Sequence, residues 1–195
     1  SMDSKSAWKL PWPNPWAPTL ANWDSEFLAL AGVTEAVRYL PRAAVESALA
    51  LGYRHLDTAE MYGNEEAVGA AIAASGIARK DIHVTTKVWN ENLAPDAMRR
   101  AFDASLKKLR LDRIDLYLVH WPAPRMNLPQ MFETLMRLKE EGRTRAIGVA
   151  NFNIALMKTV VEEIGALIAC NQVEYHVMLD QTRLRQFLTA KSIPL

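Results

Sequence analysis

Between residue 53 and residue 172, short apolar runs rich in Val, Ile and Leu alternate with amphipathic helical stretches, and the runs start about every 23 to 32 residues. The runs are Tyr53 to Asp57, Ile82 to Lys87, Ile114 to His120, Arg145 to Ala150 and Ile168 to Gln172. The intervals carry helix punctuation. Asn64 is placed to cap a helix that holds Glu65 and Glu66 in its first turn and stops near Gly76. Pro95 and Asp96 open the next helix, and Gly142 closes the one after it. Strand, helix, strand in strict order demands a parallel sheet with right-handed crossovers, an α/β fold.

Such a sheet is either open and doubly wound or part of a barrel. An open dinucleotide-binding sheet carries a Gly-rich turn after its first strand, and no GxGxxG, GxxxxGK[ST] or GxSxG pattern occurs in this chain. A polar residue stands instead at the end of run after run: Asp57, Lys87, His120, Asn151 and Gln172. The carboxyl ends of the strands are the active face of a (β/α)8 barrel, so the expected architecture is of TIM-barrel type. A barrel of this kind takes about 250 residues. Five βα units are recognisable within residues 34–195, with a stub at Ile193 to Leu195, so the barrel is expected to be incomplete, its first and last strands not found. Residues 1–33 form a separate arm in this reading. Trp8, Trp12, Trp16 and Trp23 stand there among Pro11, Pro13, Pro15 and Pro18, which forbid a helix and favour an extended path.

Composition removes several classes of function. The 23 basic and 22 acidic residues leave a net charge of +1, which supplies no field for wrapping nucleic acid. The dense basic cluster Lys107, Lys108, Arg110 and Arg113 falls where a helix ends and complements its dipole. No apolar run reaches the roughly 18 residues of a membrane span. One cysteine, Cys170, excludes a disulfide within the chain and fits a reducing, cytoplasmic compartment.

In a closed parallel barrel the strand ends share one mouth, where an acid (Asp57), a phenol (Tyr62, on the loop after it), an ammonium (Lys87) and an imidazole (His120) can meet. A tyrosine is a poor proton donor at neutral pH because its ordinary pKa is about 10. A neighbouring ammonium favours the phenolate, and a carboxylate beside the lysine keeps the ammonium charged and oriented. The histidine can hold a carbonyl oxygen while the tyrosine supplies the proton, which is the equipment for reducing a carbonyl. None of these groups donates hydride, so a cofactor is required. Nicotinamide suits Asn151 and Gln172, whose amides can pair with the donor and acceptor of its carboxamide. Trp89 and Trp121, close behind Lys87 and His120, would flank the mouth. The HxD spacing of His55 and Asp57 puts both on one strand face, as a metal-dependent hydrolase would want, but Lys87, Asn151 and Gln172 occupy the later strand ends where further ligands would be needed, and no metal is expected. His83 and His176 read as structural or exposed.

The segments DTAEMYGNE at 57–65, VTTKVWNENL at 84–93, DLYLVHWP at 115–122, GVANFN at 148–153 and CNQVEYH at 170–176 resemble, in that order, the aldo-keto reductases. Among these the run of segments is similar to the bacterial 2,5-diketo-gluconate and methylglyoxal reductases, over roughly residues 41 to 195. The resemblance implies NADPH-dependent reduction of small aldehydes and ketones on a (β/α)8 barrel, with Asp57, Tyr62, Lys87 and His120 as the catalytic tetrad and Tyr62 as general acid. It implies Asn151 and Gln172 at the nicotinamide, Trp89 and Trp121 in the substrate pocket, and NADPH over NADH. The family usually has Ser-Asn where this chain has Ala150-Asn151. It also uses a first strand with a Gly-Thr pair, and later strands with a stacking aromatic ring and a phosphate-gripping basic loop, so the 195-residue chain alone is expected to bind cofactor weakly or not at all. The expected partner is a small carbonyl substrate. A complete barrel implies a monomer, and an open sheet edge implies self-association. A second reading is a non-catalytic binding or scaffold module that keeps the barrel sequence for its shape.

Overall fold

The computed structural model describes residues 42–195. The expected Trp/Pro arm at 1–33 lies outside them. Helix α1 (Arg42–Ala50) leads into β1 (His55–Asp57), followed by a 3-10 turn at Glu60–Tyr62 and α2 (Glu65–Ala74). Then come β2 (His83–Val88), a 3-10 turn at Asn90–Asn92, α3 (Pro95–Leu109) and β3 (Ile114–Val119). Helix α4 (Leu128–Glu140), β4 (Thr144–Ala150), α5 (Ile154–Lys158, extended by a π turn at Thr159–Glu163), β5 (Asn171–Gln172) and α6 (Thr182–Ala190) complete the order.

All four strand pairings are parallel, and the strands lie in the order β1-β2-β3-β4-β5. A doubly wound sheet reverses its order at a switch point, whereas a barrel adds each strand beside the previous one. The neighbour-by-neighbour order is that of the barrel. Curvature is shown by one side-chain bond. Gln172 on β5 donates from Nε2 to Oδ2 of Asp57 on β1 at 2.8 Å. In a flat sheet those strands would stand four spacings, about 19 Å, apart. The five strands therefore curl into a half-barrel of the (β/α)8 type. The stub at Ile193 to Leu195 forms no strand, but Asn171 N–H donates to the Pro194 carbonyl at 3.1 Å on the β5 edge away from β4.

Two cores follow from strand alternation. Outside the curl, α3 buries Met98, Ala101, Phe102, Ser105, Leu106 and Leu109, a stripe at helical spacing. Phe102 meets Tyr117 of β3 edge-on at 4.7 Å. Inside the curl, Leu116 and Leu118 of β3 pack with Cys170. Gly148 permits the closeness of β4 to its neighbours, because a Cβ there would lie 2.8 Å from the Cys170 carbonyl oxygen and 2.8 Å from Leu118 Cδ2. At the amino ends, the buried Asp115 ties three strands together. It accepts from Arg79 at 2.5 Å and from the Val84 N–H at 2.9 Å, and it lies 3.3 Å from Arg145.

Helix ends behave as their residues dictate, with two differences. Gly142 follows α4 at φ 72°, a left-handed conformation that suits a residue without Cβ, and Lys107 and Lys108 occupy the last turn of α3. Asn64 precedes α2 as expected but makes no side-chain cap; its Oδ1 accepts from the buried Thr58 hydroxyl at 2.6 Å. Glu65 is buried rather than solvated, accepting from the Thr86 hydroxyl at 2.7 Å with Lys108 at 3.7 Å.

Inside the curl and toward the amino ends, His55 and His83 pack edge-on at 4.7 Å, and His55 Nε2 lies 2.9 Å from the Thr85 hydroxyl. Burial, and then the neighbouring His55, push the His83 imidazole down to about 3 from an ordinary 6.5. The unfolded chain thus takes up a proton below pH 6.5 that the folded chain refuses, so stability holds above pH 6.5 and falls below it. Urea denaturation should show wild type losing about 2 kcal/mol through His83 between pH 7 and pH 5, and a flatter profile for His83→Asn. Gly148→Ala should cost about 1–3 kcal/mol at any pH by overpacking, read in the same denaturation experiment.

Candidate active site

The carboxyl ends of the strands gather the polar residues marked in the sequence. Lys87, 1% exposed at the end of β2, directs its ammonium to Oδ1 of Asp57 on β1 in a short ion pair and to the Thr58 carbonyl at 3.2 Å. Asp57 spends its second oxygen on Gln172. Both carboxylate oxygens are therefore satisfied, which is the condition for keeping a charge pair in a desolvated place. The pair follows from register: His55↔His83 and Asp57↔Thr85 are aligned, so Asp57 and Lys87 face the same interior two residues apart in height.

Tyr62 sits on the 3-10 turn after β1, closed by Gly63 at φ 67°. The Lys87 ammonium is 5.4 Å from the centre of its ring, and its hydroxyl is 3.5 Å from Nε2 of His120, at the long limit of a hydrogen bond. The Tyr62 and His120 rings meet edge-on at 5.3 Å. His120 is buried just past β3, its N–H bonded to the Val88 carbonyl at 3.0 Å. All four members of the expected tetrad thus converge on one interior corner.

The two amides stand beside it. Asn151, at φ 63°, donates from Nδ2 to the His120 carbonyl at 2.9 Å, which fixes the turn after β4 to the end of β3. Gln172 bonds Asp57, and among the described residues no donor reaches its Oε1. The two tryptophans part company. Trp89 packs edge-on against His120 at 5.4 Å, whereas Trp121 is 47% exposed. Glu60 was not marked in the sequence; its carboxylate accepts from the Trp89 N–H at 2.8 Å and from Asn92 Nδ2 at 2.6 Å. The signal available for it was an acid two residues before Tyr62 in DTAEMY, which reads as a solvated loop charge until the partner loop is in place.

A groove of about 850 Å³ lies at the other end of the sheet, lined by the connections around Gly76, Arg110, Arg113 and Gly142. It is far from the Asp57–Lys87–Tyr62–His120 corner, and cavity size does not locate the site here. Among the described residues no cluster of three or more His, Cys, Asp or Glu side chains is arranged to hold a metal ion, and no helix is long and apolar enough to cross a membrane.

A curled, sequentially ordered parallel sheet with an acid, an ammonium, a phenol and an imidazole at its carboxyl ends is a half-barrel of (β/α)8 type with its polar site at the face such barrels use. The Aldo/keto reductase family profile matches residues 35–195. The chain belongs to that family. It is 47% identical over 144 residues to an aldo-keto reductase of Mycobacterium sp. (strain KMS), covering 73% of this chain and 52% of that protein. It is 44% identical over 154 residues to the methylglyoxal reductase DkgB of Salmonella typhi, covering 77% of this chain and 58% of that one. Among solved structures, an aldo/keto reductase from Brucella melitensis superposes with a TM-score of 0.75 at 47% identity, over 78% of this chain and 60% of that one. A Bombyx mori aldo-keto reductase in complex with NADP superposes with a TM-score of 0.73 at 36% identity, over 78% and 53%. The chain spans about half the length of the curated relatives it matches.

Removing Asp57 leaves the Lys87 ammonium buried without its partner. Asp57→Ala is expected to cost about 3–5 kcal/mol in urea denaturation, and Asp57→Leu combined with Lys87→Met to cost clearly less, because the double change removes both charges.

Proposed function

We propose that the protein reduces the carbonyl of small aldehydes and ketones to alcohols with NADPH, and that Tyr62 is the general acid. The observation that carries this reading is the approach of Tyr62 Oη and His120 Nε2 to 3.5 Å beside the buried Lys87–Asp57 pair. Two groups able to hydrogen-bond one oxygen face a common point, which is where negative charge develops when a carbonyl carbon accepts hydride. Tyr62 gives its proton to that oxygen, and the ammonium of Lys87 stabilises the phenolate left behind. Asp57 keeps the ammonium charged and aimed. His120 orients the carbonyl for the transfer, and its own burial beside Trp89 limits water at the reacting corner.

The donor set fits a carboxamide. Asn151 and Gln172 place two amides at adjacent strand ends, and among the described residues no donor occupies the Gln172 acceptor while its N–H is engaged with Asp57. A nicotinamide cofactor held there supplies the hydride when bound. The choice of NADPH is supported by the NADP complex of the Bombyx mori relative. A reactive dicarbonyl or keto sugar as substrate is supported by the DkgB relative, named a methylglyoxal reductase. Burial pushes the thiol of Cys170 up to about 12 and keeps it protonated, so it takes no part in the proposed chemistry.

In an enzyme carrying this sequence, Tyr62→Phe should lower the rate of NADPH-dependent methylglyoxal reduction by about 10²- to 10⁴-fold while leaving NADPH affinity by fluorescence titration nearly unchanged. An unchanged rate would remove Tyr62 from the role of acid.

A further inference from the structure

Glu60 stands outside the four residues of the proposed reaction, yet it joins the two loops that carry them. It belongs to the same 3-10 turn as Tyr62, and both of its oxygens are taken by the loop after β2: the Trp89 N–H at 2.8 Å and Asn92 Nδ2 at 2.6 Å. Both partners are donors. A carboxylate offers two acceptors and meets both, whereas an amide in its place would turn a donor toward one of them.

Trp89 is the residue so held, and its ring and that of Tyr62 pack edge-on against the same imidazole, at 5.4 and 5.3 Å. Two aromatic rings from two different loops thus meet on His120, and Glu60 fixes the distance between those loops. An exposed loop acid gains little from a single ion pair, but a carboxylate receiving one backbone and one side-chain donor orders about thirty residues of sequence separation at a single point.

We propose that Glu60 is a positioning residue that clamps the Trp89 loop to the Tyr62 turn, holding the indole against His120 as a fixed wall for the substrate carbonyl. The consequence for substrates rests on the function proposed above; the clamp itself does not, and its test uses neither cofactor nor substrate.

The near-ultraviolet circular dichroism difference between the 195-residue chain and its Trp89→Phe variant gives the band of an indole held in an asymmetric setting. Glu60→Ala should lose about half of that band or more, and Glu60→Gln should keep an intermediate share, with far-ultraviolet spectra unchanged. A Glu60→Ala protein with the whole band, or a wild type with no Trp89 band, overturns the proposal. Should Glu60→Ala fail to fold, Glu60→Gln decides, and a band equal to wild type overturns it. In the active enzyme Glu60→Ala should raise KM for methylglyoxal about tenfold with kcat within about threefold, and a fall in kcat at constant KM would overturn the wall. Loss of the circular dichroism band with no activity in the wild-type enzyme would instead uphold the clamp and sink the reductase reading.

Discussion

A lysine ammonium that is 1% exposed has to be compensated from within the protein, and the way Lys87 is compensated organises the carboxyl end of the sheet. Asp57 takes the charge from the neighbouring strand and the Thr58 carbonyl takes a second N–H. That leaves one carboxylate oxygen of Asp57 facing the interior, and the donor that meets it comes from β5, 115 residues away. The bond can form in a curled sheet and not in a flat one. Sheet curvature and the ion pair therefore support each other: the curl brings Gln172 to the second Asp57 oxygen, and that bond joins the two outer strands of the described sheet.

The two ends of the sheet use the same residue types for different ends. Asp115, at the amino ends, is surrounded by Arg79, Arg145 and the Val84 N–H and has nothing left to offer a ligand. Asp57 is bonded just as fully, but its partners Lys87 and Gln172 look onto Tyr62 and the mouth. The tyrosines divide in the same way. Tyr117 is fully buried against Phe102, and burial holds its phenol well above its ordinary pKa, so it serves packing. Tyr62 is half-buried and faces the mouth, with the Lys87 ammonium 5.4 Å from its ring centre and its hydroxyl 3.5 Å from His120 Nε2.

What was legible in the sequence is what depends on neighbours along the chain. Each strand announced itself as an apolar run, and five candidate site residues stand at or just beyond the ends of those runs, so Asp57, Lys87, His120, Asn151 and Gln172 are legible without knowledge of their partners. The identities of those partners were hidden because they come from other strands. Asn64 has the residue type of a cap, but Thr58 is a competing donor that appears once β1 and α2 are packed. Glu65 has the position of a dipole acid, but Thr86 draws it inward across 21 residues. Gln172 was expected to serve a cofactor amide, and its bond to Asp57 shows that one half of the side chain is already committed. The role of Glu60 is hidden for the same reason, since its two donors lie 29 and 32 residues further on.

Exposed apolar residues stand at both ends of the sheet: Trp121 after β3 and Tyr175, Val177 and Met178 after β5 at the carboxyl side, and Leu51 before β1 and Leu167 before β5 at the amino side. The amino side also presents charged connections such as Arg79, Lys80, Arg110 and Arg113. Asp115, buried among cations and a strand N–H, ties β2, β3 and β4 together at the amino ends, whereas the carboxyl ends carry the polar corner of Asp57, Lys87, Tyr62 and His120. The placement of Trp89 shows the intermediate case: an apolar ring at the mouth that is not left to solvent, because Glu60 anchors its backbone and His120 receives its edge.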